Sequence, residues 1–225
     1  GSIKGFTHNV TANGGTGTTV DGGDAGIVSF NSFVGTPLLE GNLTYTLQGG
    51  SATTGLAGDG GDVFFNLNGG RFVGSANLLG NGGTTSAGTG DGGNGGSCNL
   101  FFGTYEGSIV AQFSGGNSVG GDGGNASIVF FNLNTTNSST LRFTRFDITA
   151  RGGNSDTANG GNGAFFGWNG GHDVDLTGTL QLSGGQGSVV SGNGIGGNGG
   201  NLTVSISPAR LTLNLNLTNS GGNGR

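Results

Sequence analysis

The chain has 225 residues, of which 57 are Gly, and only 8% are charged, with a formal net charge of −5. A balance of 12 acidic to 7 basic residues offers no basic patch for a phosphate backbone, so nucleic acid is not an expected partner. No apolar run approaches the roughly 18 residues of a membrane-spanning helix, and a single cysteine, Cys98, excludes an intrachain disulfide.

Glycine at this level signals low-complexity disorder when it is aperiodic. Here it is periodic. Gly-Gly doublets close apolar-alternating runs at Gly14-Gly15, Gly49-Gly50, Gly82-Gly83, Gly115-Gly116, Gly152-Gly153, Gly184-Gly185 and Gly221-Gly222, between 32 and 37 residues apart. A fixed period of about 34.5 residues is the signature of a repeat architecture. Between the doublets lie strong β-formers, including 15 Phe. The expectation is an all-β, β-solenoid-like stack of about six repeats forming a single repeat domain over 1–225.

Residues 1–20 read as a half repeat: a strand, Gly14-Gly15 and a polar linker. Full repeats begin near Asp21, Asp59, Asp91, Asp122, Asn159 and Gly196, each with a first strand, a short turn, a second strand, a doublet and a linker. Counted back from the doublets, the second strands keep one apolar parity: Phe6, His8, Val10 and Ala12; Leu43, Tyr45 and Leu47; Ala76 and Leu78; Ile109, Ala111 and Phe113. The series continues with Phe146, Ile148 and Ala150; Leu176, Leu180 and Leu182; Leu213, Leu215 and Leu217. Stacked strands with one buried face require this parity, because a slip of one residue inverts the face.

The first strands are apolar on both faces in the middle repeats. One parity carries Val63, Phe65 and Leu67, with equivalents from Val28 to Ile206; the other carries Phe64, Phe101, Phe130 and Phe165. These four are expected to form one covered ladder, packed against glycine tracts or a neighbouring subunit, and a covered Phe truncated to Ala costs about 3–5 kcal/mol. The turns at Asn68-Gly69-Gly70, Thr135 to Thr140, Asn169-Gly170-Gly171 and Ser207-Pro208-Ala209-Arg210 fit either solenoid corners or hairpins. The column regularity and the Gly-rich return segments favour a solenoid of parallel strands.

The Gly-Gly-Xaa triplets at 92–97, 120–125 and 196–201 suggest extended, polyproline-II-like return segments, packed closely because no Cβ intervenes. On these tracts alone the chain resembles the polyglycine-helix sandwiches of phage tail-tip adhesins and glycine-rich antifreeze proteins; the resemblance carries no functional residue. It is expected that Val at Gly93 or Gly124 disrupts folding more than Val at Ser118 in the adjacent linker.

The catalytic inventory is thin, so no enzyme activity, cofactor or metal is expected. His8 falls in the inward column as a packing residue. His172, Asp173 and Asp175 read as a solvated turn, and Glu40 and Glu106 lie at different turns with nothing to pair them. Asp21, Asp59, Asp91 and Asp122 precede equivalent doublets; backbone capping is favoured over a calcium ladder for them. Sequons at Asn9, Asn42, Asn134, Asn137, Asn201 and Asn216 are about as frequent as chance gives, and Asn134 and Asn137 are the best placed.

The function expected is structural: the subunit of an extracellular filament or matrix fibre, with itself as partner. The alternative is an adhesin or an ice- or surface-binding module that takes surface glycans. A start at Gly1 suggests either a processed chain from which any secretion signal is gone or a fragment of a longer solenoid, which would show the same raw ends. The chain begins at a second strand and stops after Leu211–Leu217 and a doublet, with no polar cap at either place. Phe6, His8 and Val10 stand in phase with Leu213, Leu215 and Leu217, which predicts end-to-end strand pairing between copies.

Overall fold

The computed structural model describes residues 2–32, 37–133, 141–170, 173–188, 194–206 and 210–224. Asn134, Asn137, His172 and the turns at 135–140 and 207–209 lie outside the described residues. Thirteen strands follow one another among the described residues. They are β1 (Ser2–Thr11), β2 (Val28–Asn31), β3 (Leu38–Thr46), β4 (Val63–Asn66), β5 (Arg71–Leu79), β6 (Cys98–Phe102) and β7 (Thr104–Gln112), then β8 (Val129–Leu133), β9 (Leu141–Thr149), β10 (Phe165–Gly170), β11 (Val174–Gln181), β12 (Asn201–Ile206) and β13 (Leu211–Thr218).

Odd-numbered strands build a seven-stranded sheet and even-numbered strands a six-stranded one, each in chain order. Every pairing within them is parallel. The chain is therefore a β-solenoid of about six coils. The hairpin arrangement is ruled out, because a two-residue turn joins only antiparallel neighbours. Asn68 (φ 45°) and Gly69 (φ 81°) turn the corner from β4 to β5 in the left-handed region. Asn169-Gly170, by contrast, continues β10 rather than making a turn.

Each coil is a flattened loop with a wide half and a narrow half. In the wide half the two sheets face each other across side chains: Val63, Phe65 and Leu67 from one, Leu43, Tyr45 and Leu47 from the other, all buried. The expected parities hold on both sheets. The second strands also run farther back than the doublets reveal. Leu39, Phe72, Tyr105, Leu141 and Phe143 are buried ahead of the alternating runs. Phe72 alone meets Phe6, Phe65, Phe102 and Tyr105 at centroid distances of 5.2–6.5 Å.

In the narrow half the sides close until their backbones touch. The outgoing tract after each second strand and the return tract before the next first strand bond alternately across the gap. Gly23 N–H donates to Gly15 O, Gly50 to Gly23, Gly58 to Gly50, Gly83 to Gly58 and Gly93 to Gly83, a zigzag that continues to Gly222 and Gly197 with N···O distances of 2.7–3.0 Å. Glycine is required here by space. A Cβ on Gly93 would stand 1.9 Å from Gly58 O, and one on Gly124 would stand 2.0 Å from Gly93 O.

The return tracts repeat every three residues, as a threefold extended helix does. In Asp91 to Ser97, Gly92 and Gly95 donate to the next coil (Asp122 O, Asn125 O), while Gly93 and Gly96 donate across the gap (Gly83 O, Gly80 O). The third residues face outward. Their N–H groups turn away from backbone partners and are met by side chains of the preceding coil: Asp59 Oδ1 accepts from Asn94 N, and Asp62 Oδ1 from Ser97 N. The triplet of one Asx or Ser and two Gly is thereby explained position by position.

Candidate functional site

The four carboxylates expected to stand in one ladder divide between two columns. Asp21 caps Leu56 N and Asp91 caps Asp122 N in one; Asp24 caps Asp59 N and Asp59 caps Asn94 N in the other. The repeat beginning at Asp59 is thus placed one triplet late, because the equivalent of Asp21 is Leu56. The capping role is as expected, and each carboxylate accepts from a backbone N–H of the following coil.

Glu40 and Glu106 lie in strands rather than turns, two coils apart on the outer face of the seven-stranded sheet, where Lys4 (3.7 Å) and Arg71 (2.6 Å) neutralise them. Asp173 Oδ1 accepts from the N–H of Arg210 (2.8 Å). Among the described residues no cluster of three His, Cys, Asp or Glu could hold a metal ion. Among the same residues no helix is long and apolar enough to cross a membrane. Cys98 is buried, and burial pushes its thiol up. Ser118 is no neutral linker position: its buried hydroxyl donates to Gly90 O (2.7 Å) and accepts from Gly121 N (2.8 Å).

Phe6, His8 and Val10 sit on β1, the open edge of the seven-stranded sheet, and Leu211, Leu213, Leu215 and Leu217 on β13, the opposite edge. Register carried strand by strand puts His8 in one column with Leu43, Ala76, Ile109, Phe146, Gly178 and Leu215. Val10 shares a column with Tyr45, Leu78, Ala111, Ile148, Leu180 and Leu217. Phe6 pairs with Gly41, where a Cβ would come within 2.6 Å of its ring. His8 Nδ1 lies 3.0 Å from the Tyr45 hydroxyl, and the rings meet edge to face at 5.5 Å.

The β13 end of the core is open. Leu213 is 50% and Leu217 48% exposed, and Leu202 and Val204 across from them are 39% and 42% exposed. Gly178 leaves a gap in its column between Phe146 and Leu215. An apolar cavity of about 200 Å³ opens there, lined by Phe146, Phe166 and Trp168 at depth and by Val204, Leu213 and Leu215 nearer the edge.

The four outer Phe do not form a single row. Phe64 pairs with Asn99 and Phe101 with Asn66, so successive rings are displaced by one coil and two residues. They are half-buried on the outer face of the six-stranded sheet, away from the glycine tracts. The signal for this arrangement was the Phe-Phe-Asn triplet at Phe64-Phe65-Asn66 and again at Phe130-Phe131-Asn132, which sets a ring and an amide two residues apart on one face.

No family model, curated protein or solved structure matches the chain.

Proposed function

We infer that the chain is the structural subunit of an extracellular filament or matrix fibre, in which β13 of one copy pairs with β1 of the next. The supporting observation is the continuity of the core columns. His8 and Leu215 stand in one column and Val10 and Leu217 in the next, so adding β1 above β13 repeats a pairing already made six times within the chain. Both edges carry unpaired backbone groups and half-exposed apolar side chains, and joining them satisfies both at once. Such a contact is heterologous and does not close, so it generates filaments. A surface of amides and hydroxyls with few charges fits an extracellular setting.

The test is a register-specific cross-link. Neighbouring parallel strands lie about 4.8 Å apart, within the Cα separation a disulfide spans. The double variant His8→Cys, Leu215→Cys is expected to give a ladder of covalent oligomers on oxidation, whereas His8→Cys, Leu217→Cys, one column out, gives little. Buried Cys98 does not compete. Equal ladders from both variants, or dispersed monomers in the electron microscope, would remove this reading.

A further inference from the structure

The outer face of the six-stranded sheet is an alternation of rings and amides. Along one row of paired residues stand Ser29, Phe64, Asn99 and Phe130; along the next stand Asn31, Asn66, Phe101 and Asn132. Phe64, Phe101 and Phe130 therefore each have an amide beside them on a neighbouring strand and another two residues away on their own strand. The six strands themselves contain no Lys, Arg, Asp or Glu. Asp62, just ahead of β4, is already committed to the N–H and hydroxyl of Ser97 (2.7 and 2.9 Å).

The rings also have a defined posture. At Gly167 a Cβ would meet Phe130 Cδ2 at 2.4 Å and Phe165 Cε1 at 2.8 Å, so both rings lean over that glycine and lie along the sheet. Covering a strand glycine with an aromatic ring is a known stabilising device, and it accounts for Phe130 and Phe165. It does not account for Phe64 and Phe101, which meet each other at 5.4 Å with no glycine as their paired neighbour. The amides of Asn99, Asn132 and Asn169 make no side-chain hydrogen bond among the described residues, leaving donors and acceptors available beside the rings.

We propose that this face binds an uncharged polysaccharide chain laid across the coils. A sugar ring presents apolar C–H faces bordered by hydroxyls, the same alternation on the same scale. Its C–H groups stack on the electron-rich face of Phe, and its hydroxyls donate to and accept from the flanking amides. Phe64 and Phe130 share a row two coils apart, about 9.6 Å at the usual strand spacing, a separation that two sugar units span. The charge balance selects the ligand class. A strand of nucleic acid stacks equally well on aromatics but needs a basic groove for its phosphates, and sulfated or uronic polymers need the same. A second copy of this face would press amides against rings and leave them unpartnered, which is unfavourable.

Affinity electrophoresis of the intact chain tests this, with hydroxyethyl cellulose, glycol chitin and mixed-linkage β-glucan as neutral polymers and heparin and polygalacturonate as charged ones. Retardation by at least one neutral polymer and by neither charged one is expected. Phe64→Ala with Phe130→Ala should weaken it at least tenfold, and Phe64→Tyr with Phe130→Tyr should retain it. Asn99→Leu with Asn132→Leu leaves the rings in place, removes both donors and acceptors and should weaken binding at least tenfold, which keeps the test decisive if the Ala pair does not fold. No retardation by any neutral polymer, or full retardation of a folded Ala or Leu pair, overturns the proposal. So does a change in sedimentation of the Ala pair without retardation of the parent, which would make the face a contact between copies.

Discussion

Gly93 is surrounded by backbone, and this fixes what it tolerates. The 1.9 Å approach of a Cβ to Gly58 O involves an atom already bonded to Gly83 N, so no side-chain movement relieves it. Gly93→Ala should abolish folding or lower the thermal midpoint severely, whereas Ser86→Ala, at an exposed linker position, should change stability by no more than about 0.5 kcal/mol in denaturant titration. Asp59 is held to a looser rule. Its Oδ1 accepts from Asn94 N at 2.6 Å, a role an amide oxygen fills as well. Asp59→Asn is therefore expected to be near neutral, and Asp59→Ala to cost about 1 kcal/mol, with neither result altered by calcium or a chelator. A tenfold calcium dependence of the unfolding constant would show that the carboxylates hold an ion. Tyr45 titrates with a clear sign. Burial pushes its phenol up to about 12, so between pH 10 and 12 the unfolded chain loses this proton first, and stability declines across that window. Chemical denaturation at pH 9 and pH 11.5 should show the decline, and Tyr45→Phe should reduce it.

At the scale of the element, the first and second strands were legible from alternation, because a buried face imposes a period of two on any sheet. The zigzag of the glycine tracts was legible only in part. Doublets announce close approach, but which glycine faces across the gap and which faces the next coil depends on phase, and at Asp59 the phase differs by one triplet from the apparent repeat start. The early turns of the second strands were hidden by Gly41, Gly74 and Gly107. Glycine inside a run reads as a breaker, whereas here it sits in mid-strand, with Gly74 and Gly107 at φ 144° and 143°. Phe72 and Tyr105 therefore joined the core unannounced, and Phe143 did so for another reason: β9 skips Thr144 in its pairing with β7, which turns a ring off the apolar parity inward. The two classes of Phe should separate experimentally. Phe72, buried among four aromatic partners, is expected to cost about 3–5 kcal/mol on truncation to Ala. Phe64, half-exposed on the outer face, should cost clearly less, and equal losses in equilibrium unfolding would show that the outer ring is as covered as the inner one.

At the scale of the molecule, parallel stacking gives the two ends of the solenoid different chemistry, and that asymmetry has a kinetic consequence. The β1 end offers Phe6, His8 and Val10; the β13 end offers Leu213, Leu215 and Leu217 beside the open cavity. In the filament proposed above, each copy is added by joining one kind of end to the other. A copy whose β13 end is blocked can still dock through β1, but nothing can then dock on it. Leu215→Lys with Leu217→Lys places two ammonium groups in columns that would be buried at the junction, where an unpaired charge is strongly disfavoured. Those side chains lie at the edge of the fold, so the variant should remain folded, with a circular dichroism spectrum like that of the parent. Mixed with the parent at one part in twenty, it should shorten filaments well beyond simple dilution, because each variant stops one growing end. Light scattering gives the extent of assembly and electron microscopy the length distribution. If the variant only lowers the scattering in proportion to its fraction, the junction does not use β13, and end-to-end growth through these columns is not the mechanism.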